Sequence, residues 1–209
     1  MINIAIDGPA GAGKSTIAKA VAQKLGVVYV DTGAMYRAIA LQMLKNNVDI
    51  HNEEKVVAEL VNVDIKLEYR DGAQCVILNG EDVSTAIRQN EVSMAASVTS
   101  AYKQVRAFLM DTQRNVAKTT SVIMDGRDIG TVILPNTEVK IFMFASAQAR
   151  AKRRTLELAE KGIDAKYEDV LREMEERDRN DREREVAPAV AAEDAVMMDN
   201  SDMTPAENG

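Results

Sequence analysis

Apolar positions change period several times along the 209 residues. Ile2-Asn3-Ile4-Ala5-Ile6 predicts a short strand, and from Ile17 to Leu25 the spacing turns helical, with Ile17, Val21 and Leu25 on one face. Val27-Val28-Tyr29-Val30 predicts a second strand, buried on both faces. Helices follow over about 34–45, with Thr32 as candidate cap, and within 50–60, with Asn52 as cap. The pattern then changes. Val63, Ile65, Leu67 and Tyr69 alternate with Asp64, Lys66 and Glu68, Asp71-Gly72 turns the chain, and Cys75-Val76-Ile77-Leu78 returns. That is the signature of a hairpin. With a second turn at Asn79-Gly80 and the run Glu81-Asp82-Val83, residues 63–88 read as a small antiparallel insertion in which Cys75 packs.

Helical patterns resume over about 90–97 and 103–118. Ser121 to Met124 predicts a strand ending in Asp125-Gly126-Arg127-Asp128, and Lys140 to Phe144 another. A long charged helical hairpin is expected over 147–160 and 167–185, joined at Lys161-Gly162-Ile163-Asp164 and broken by Val186-Ala187-Pro188. Ala195 to Asp199 reads as the last core strand, with a polar, frayed tail over 200–209. Strands alternating with helices imply a parallel sheet covered on both faces. The length suits one α/β domain with insertions. The antiparallel insertion and the charged hairpin both interrupt that plan where ligands bind, outside the carboxyl ends of the strands.

The chemistry is concentrated between the first strand and the first helix. Gly8-Pro9-Ala10-Gly11-Ala12-Gly13-Lys14-Ser15, followed by Thr16, reads G-x-x-x-x-G-K-S, the Walker A pattern, in its expected strand–loop–helix context. Glycines let backbone N–H groups converge on phosphate oxygens, and the helix aims its positive dipole end at the anion. Lys14 can reach the outer phosphates of ATP, and the Ser15 hydroxyl can ligate Mg²⁺.

Composition removes several alternatives. Cys75 is the only cysteine, so no intrachain disulfide forms, and His51 is the only histidine, so neither a histidine metal cluster nor a Ser-His triad is available. Net charge is −7, aromatics are 4% and Trp is absent, which disfavours a nucleic-acid partner. No apolar run approaches the roughly 20 residues of a membrane span, and no cleavable leader is expected before the first strand. A cytoplasmic protein with no membrane partner is expected.

Among phosphate-loop proteins, a GTPase should carry N-K-x-D and D-x-x-G, and a transporter ATPase L-S-G-G-Q; none of these fits. A small-molecule kinase needs a second anion site, and Arg37, Arg106 and Arg127 sit after strand ends or in adjoining helices. Arg177, Asp181 and Arg184 share one helical stripe at i, i+4 and i+7. Arg172, Arg179 and Arg182 are expected to make ordinary exposed pairs. Asp125 ends an apolar strand like a Walker B carboxylate, a candidate for organising Mg²⁺ through water.

Three blocks carry a family resemblance: Thr32-Gly33-Ala34-Met35-Tyr36-Arg37, Asp125-Gly126-Arg127-Asp128-Ile129-Gly130-Thr131, and Glu176-Arg177-Asp178 through Asp181 and Arg184 to Val186-Ala187-Pro188. Together with residues 4–16 and the hairpin insertion, they resemble the bacterial cytidylate kinases over about residues 2–199. The resemblance implies a three-layer P-loop NTPase fold: a parallel five-stranded sheet, a small antiparallel β insertion and a helical lid. It implies one kinase domain, with a core over 1–60, 99–146 and 186–199, an acceptor-binding insertion over about 61–98 and a lid over about 147–185. The implied activity is transfer of the γ-phosphoryl group of ATP to CMP or dCMP with Mg²⁺, by a monomer. Gly8 to Thr16 would hold ATP phosphates, with Arg153 a weaker ATP contact. Thr32 falls in the acceptor region, where some relatives carry Ser. Arg37 and Arg127 would grip the CMP phosphate. Ser97, Arg106, Asp128 and Arg184 would surround cytosine, and Arg177 and Asp181 would contact the sugar, Arg177 also lying near the phosphates. Lys14, Arg127 and Arg177 are the expected catalytic group. A kinase for another acceptor such as UMP, or a nucleotide-dependent binding protein, are the alternatives. The family continues past its last strand into a helix of which Thr204-Pro205-Ala206-Glu207 resembles only the start, so lower stability is expected here.

Overall fold

The computed structural model describes residues 1–160 and 162–201. In chain order its elements are β1 (Asn3–Asp7), α1 (Lys14–Leu25), β2 (Val28–Asp31), α2 (Thr32–Lys45), α3 (Glu53–Glu59), β3 (Ile65–Arg70), β4 (Ala73–Leu78), β5 (Glu81–Asp82), α4 (Asn90–Thr99), α5 (Lys103–Thr119), β6 (Val122–Gly126), β7 (Val139–Phe144), α6 (Ala147–Glu160), α7 (Tyr167–Glu183) and β8 (Val196–Asp199). Five strands form one parallel sheet in the order β2-β6-β1-β7-β8, and β3-β4-β5 form a second, antiparallel sheet. This is the P-loop α/β architecture with an antiparallel insertion. The strand order reverses direction beside β1, and the loops leaving β1, β2 and β6 open on the same end, where such sheets bind ligands.

Two apolar clusters hold the layers together. On one face of the sheet, Ile4, Ile6, Ile123 and Met143 pack on Ile17, Ala18 and Ala22 of α1. On the other face, Ala5, Val30 and Met124 join Met35, Ile39 and Met43 of α2, Val92 of α4 and Leu109 of α5. Val76 and Leu78 of β4, with Val83 and Ile87, belong to this same cluster. The small sheet therefore shares the main core, and each such side chain contributes about 1.5–3 kcal/mol by burial. A side-chain pair reinforces the junction: Gln74 on β4 accepts from Asp31 N at 2.9 Å and donates to Asp31 O at 3.2 Å, pairing with the edge of β2 as a further strand would.

Several expectations need correction. β2 lies at a sheet edge, so Val28 and Tyr29 are only half-buried instead of covered on both faces. α2 is capped by Asp31, whose carboxylate accepts from Ala34 N at 2.9 Å; Thr32 is already helical and donates to the Asp125 carbonyl at 2.7 Å. α7 stops at Glu183, because Arg184 turns to extended backbone (φ −60°, ψ 140°), so Arg184 leaves the expected helical stripe. β8 is, as expected, the last strand of the main sheet, which it completes at its other edge, leaving Val196 and Met197 67% and 56% exposed. A π-helical turn over Ile129–Ile133, with no signature in the apolar pattern, follows β6. Lys161 of the expected turn, and the segment Thr204 to Glu207 compared with a terminal helix, lie outside the described residues.

Candidate active site

The glycine-rich loop takes its shape from backbone that side chains would obstruct. Gly8 has φ 144°, and a Cβ there would lie 1.8 Å from the Met143 carbonyl oxygen, so only glycine lets the loop leave β1 against β7. Lys14 opens α1 yet is 6% exposed, and its Nζ donates to Pro9 O at 2.7 Å within the loop. Ser15 Oγ donates to Asp125 Oδ2 at 2.6 Å, joining the loop to the end of β6. Burial, followed by the Arg127 charge, pulls the Lys14 ammonium down to about 7. Burial and the nearby Asp31 charge push the Asp125 carboxyl up to about 6.

Beside the loop lies a cavity of about 220 Å³ between the strand ends, α2, α4, α5 and α7. Its lining contains six arginines and Lys14 against four aspartates, in a chain whose net charge is −7. Three of the four aspartates are each shared between two arginines, and the fourth, Asp125, accepts from Ser15. Asp31 pairs with Arg37 and Arg88, both at 2.9 Å. Asp181 receives Arg127 Nε at 2.8 Å and lies 3.8 Å from Arg184. Asp128 pairs with Arg106 and lies 3.6 Å from Arg184. Burial raises the Asp31 and Asp181 carboxyls, but the flanking guanidiniums outweigh it and hold both below the usual carboxylate range.

The pairing leaves donors over. Arg37 Nε, Arg177 Nε, Arg184 Nη2 and Ser97 Oγ are buried without a hydrogen-bond partner. An unpaired buried donor is costly. Burial, then repulsion from Arg127, pulls the Arg177 guanidinium down to about 10. The lining thus has an excess of cationic donors that an anionic, acceptor-rich molecule would satisfy. The guanidinium of Arg106 also lies 5.3 Å from the centroid of the Tyr36 ring and donates to Asp128, so the two groups form one wall of the cavity with it.

Most residues singled out from sequence meet here. Ala10, Gly11, Lys14, Ser15, Thr32, Arg37, Ser97, Arg106, Arg127, Asp128, Arg177, Asp181 and Arg184 all line the cavity. Gly8, Pro9, Ala12, Gly13 and Thr16 shape the loop without lining it. Arg153 is not brought to the cavity: its Nη2 donates to the carbonyls of Asn200 and Ser201, behind the loop. Arg172 makes the exposed pair expected of it, with Asp169.

Some lining and supporting residues escape a sequence reading. Arg88 belongs to the 3₁₀ turn before α4 and reaches the cavity only because the insertion folds back on β2. Arg150 is 3% exposed; it donates to Ala145 O and Ala10 O, each at 2.9 Å, and pairs with Asp178 on α7. It therefore fixes the charged hairpin against the glycine-rich loop. Asp7 and Asp31, acids ending β1 and β2, carry a usable signal: a carboxylate at the last residue of a strand next to a glycine turn.

Comparison with known proteins agrees with this geometry. The cytidylate kinase family profile matches residues 4–208. The chain is 54% identical over 203 residues to a cytidylate kinase of Caldicellulosiruptor bescii, covering 97% of this chain and 90% of that protein. It is 54% identical to one of Caldicellulosiruptor saccharolyticus and 48% identical to one of Bacillus thuringiensis, with the same coverage. The matched stretch spans nearly the whole chain, and the chain belongs to the cytidylate kinase family.

Proposed function

We propose that the protein transfers the γ-phosphoryl group of ATP to CMP or dCMP, producing ADP and CDP or dCDP. The observation that carries the reading is the paired anion-binding surface: a Walker loop at one end of a cavity whose remaining arginines keep unpartnered buried donors. Phosphoryl transfer needs two anionic groups aligned and their charge neutralised, with little proton chemistry. No histidine is required.

Gly8 to Thr16 form the donor-phosphate cradle, with Lys14 directed at the transferred group. Lys14 need only release the Pro9 carbonyl to reach it. Ser15 and Asp125 present a hydroxyl and a carboxylate 2.6 Å apart, a hard-oxygen pair that fits Mg²⁺, Ser15 directly and Asp125 through water. When bound, Mg²⁺ supplies positive charge to the phosphoryl oxygens. Arg37 and Arg127 hold the acceptor phosphate, each oriented by an aspartate, Asp31 or Asp181. Arg177 joins the two phosphates. Asp181 accepts from the pentose. Arg106 and Arg184 donate to O2 and N3 of cytosine, Asp128 accepts from N4, and Ser97 adds a hydrogen bond at the base. α7 brings Arg177 and Asp181 to the cavity, and its closing over bound nucleotides would exclude the water that otherwise accepts the phosphoryl group.

A coupled assay of ADP formation, run with CMP, dCMP, UMP and AMP, tests the assignment. CMP or dCMP should give the highest kcat/KM. Preference for UMP or AMP overturns the acceptor assignment, and absence of turnover with all four overturns the kinase reading.

A further inference from the structure

Asp7 does not line the cavity, and it is a 5% exposed carboxylate at the end of β1. Its Oδ1 accepts from Ile129 N at 2.8 Å and its Oδ2 from Gly130 N at 2.7 Å. These are the first two residues of the π-helical turn Ile129–Ile133. A helical turn leaves its first N–H groups without internal partners, and the residue before it normally caps them with its own side chain. Here that residue is Asp128, a good capping type, and its side chain makes no capping bond. Its carboxylate turns away to Arg106 and Arg184. The cap is supplied instead from across the sheet, by a residue more than 120 positions earlier, where β1 runs parallel to β6 with Asp7 opposite Gly126.

We propose that Asp7 is a specificity-positioning residue: by capping the turn in place of Asp128, it frees the Asp128 carboxylate to face the acceptor base. Without Asp7, two buried N–H groups lie unpaired, and Asp128, the residue that directly precedes the turn (φ −147°, ψ 27°), carries a carboxylate of the type that caps such groups. Capping and base recognition then compete for one side chain. Gly130 keeps the contact close, since a Cβ there would lie 3.4 Å from Asp7 Oδ2 and 3.2 Å from Lys140 Cδ. The inference rests on Asp128 facing the base, as in the reading above.

The test is the CMP/UMP ratio of kcat/KM in wild type, Asp7→Asn, Asp128→Ala and the double variant, with the KM for ATP measured alongside. Asparagine keeps the shape of Asp7 but turns an amide NH₂ toward one of the two N–H groups. The ratio should fall about tenfold in Asp7→Asn, on the scale of one buried hydrogen bond, while the KM for ATP stays within about twofold. The ratio does not depend on how much of the enzyme is folded, so a purely structural role would leave it unmoved. The double variant should match Asp128→Ala alone, because Asp7 acts through Asp128. If Asp128→Ala lowers the ratio and Asp7→Asn does not, the inference is overturned while the base reading stands. If Asp128→Ala leaves the ratio unchanged, the base reading fails and takes the inference with it. Should Asp7→Asn not fold, Gly130→Ala disturbs the same contact with the charge kept; the same signature, smaller, supports the proposal, and an unchanged ratio overturns it.

Discussion

At the donor end of the cavity the working groups are neighbours in the chain, from Gly8 to Ser15, whereas at the acceptor end Arg37, Arg106, Asp128 and Asp181 come from α2, α5, the turn after β6 and α7. The donor loop is built of backbone, a single lysine and a hydroxyl. The acceptor wall is built of ion pairs in which every aspartate serves two cations. A contiguous loop gains its geometry from local dihedrals, so it survives changes elsewhere. A dispersed wall gains its geometry from the packing of four elements and from mutual orientation of charges, so a change at one member is felt by the others. The first arrangement suits a group common to all substrates of this chemistry, a polyphosphate. The second suits the part that must be told apart from near-identical competitors.

The largest effect expected from breaking this contrast is at Lys14. Lys14→Ala should lower kcat by about 10²-fold or more, the scale of losing a preorganised charged donor at the transferred group. Because the lysine is held by a loop carbonyl and forms no ion pair among the described residues, the CMP/UMP ratio should not move. Steady-state kinetics with both acceptors checks this, and near-normal turnover in a folded variant removes Lys14 from the chemistry.

The acceptor wall should respond in the opposite sense. Uracil presents a donor at N3 and an acceptor at the 4-position, so it would set an N–H against a guanidinium and a carbonyl against Asp128. Asp128→Ala should lower the CMP/UMP ratio of kcat/KM by about 10–100-fold, chiefly through CMP. The same change strands Arg106, which is 4% exposed and pairs with Asp128, so stability should fall by about 3–5 kcal/mol as well. An equal loss for both substrates would make Asp128 a brace for Arg106 alone. For Asp181→Ala, KM for the acceptor should rise about tenfold with ATP affinity unchanged, because its partners Arg127 and Arg184 both belong to the acceptor side. A defect confined to ATP would move α7 to the donor side.

That contrast also explains what could be read from the sequence. The Walker loop, β1 and α1 are contiguous, and their spacing and periodicity place β1 within one residue and α1 within three. The insertion was legible because β3 and β4 alternate and turn at Asp71-Gly72. The acceptor wall was legible only as separate arginine-bearing blocks; their convergence rests on the family resemblance, since no local rule brings Arg106 to Asp128. Arg88, Arg150 and Asp7 were missed because their partners, Asp31, Asp178 and the Ile129–Gly130 backbone, lie 28 to 123 residues away for the last two and across a domain insertion for the first. Arg184 was placed on a helix it has already left, because its final turn ends in a bond from Arg184 Nε to Ala187 O that periodicity does not register.

The donor end should reveal itself in pH dependence as well. Asp7 and Asp125 are raised by burial to about 6, so the folded protein binds more protons than the unfolded chain between about pH 4 and 6. Their contribution is fully present below about pH 4 and is lost as pH rises through 6. Lys14 is lowered to about 7, so above that the unfolded chain binds more protons, and stability due to this group rises with pH toward 10. These three groups together make the ligand-free site least favourable near pH 6–7. Denaturant unfolding of wild type and Lys14→Met at pH 7 and 9.5 should show wild type gaining on the variant at the higher pH, by on the order of 2 kcal/mol. ATP should cancel that gain by restoring the proton to Lys14, and calorimetry at pH 8 should detect proton uptake on binding. Equal pH slopes in the two proteins would mean that Lys14 is solvated enough to keep its ordinary charge.

The smallest effect marks the boundary of the site. Arg172 and Asp169 form a charged pair on the same helix, α7, that carries Arg177 and Asp181, and by sequence alone the four are hard to tell apart. The difference is solvent. The Arg172 side chain is 73% exposed, and its pair with Asp169 spans one turn, i to i+3, in full contact with water. The Asp181 side chain is 9% exposed, and its partner Arg127 lies 54 residues away. An exposed pair of this kind contributes under about 0.5 kcal/mol, because water and salt screen it and two long side chains lose freedom to make it. Arg172→Ala should therefore leave kcat, both KM values and the CMP/UMP ratio within about twofold of wild type, while Asp181→Ala, nine residues further along the same helix, raises KM for the acceptor. If Arg172→Ala impaired CMP use as strongly as Asp181→Ala, burial would not be what separates binding residues from solvated charge on this helix, and α7 would have to present a different face to the nucleotide in the working enzyme.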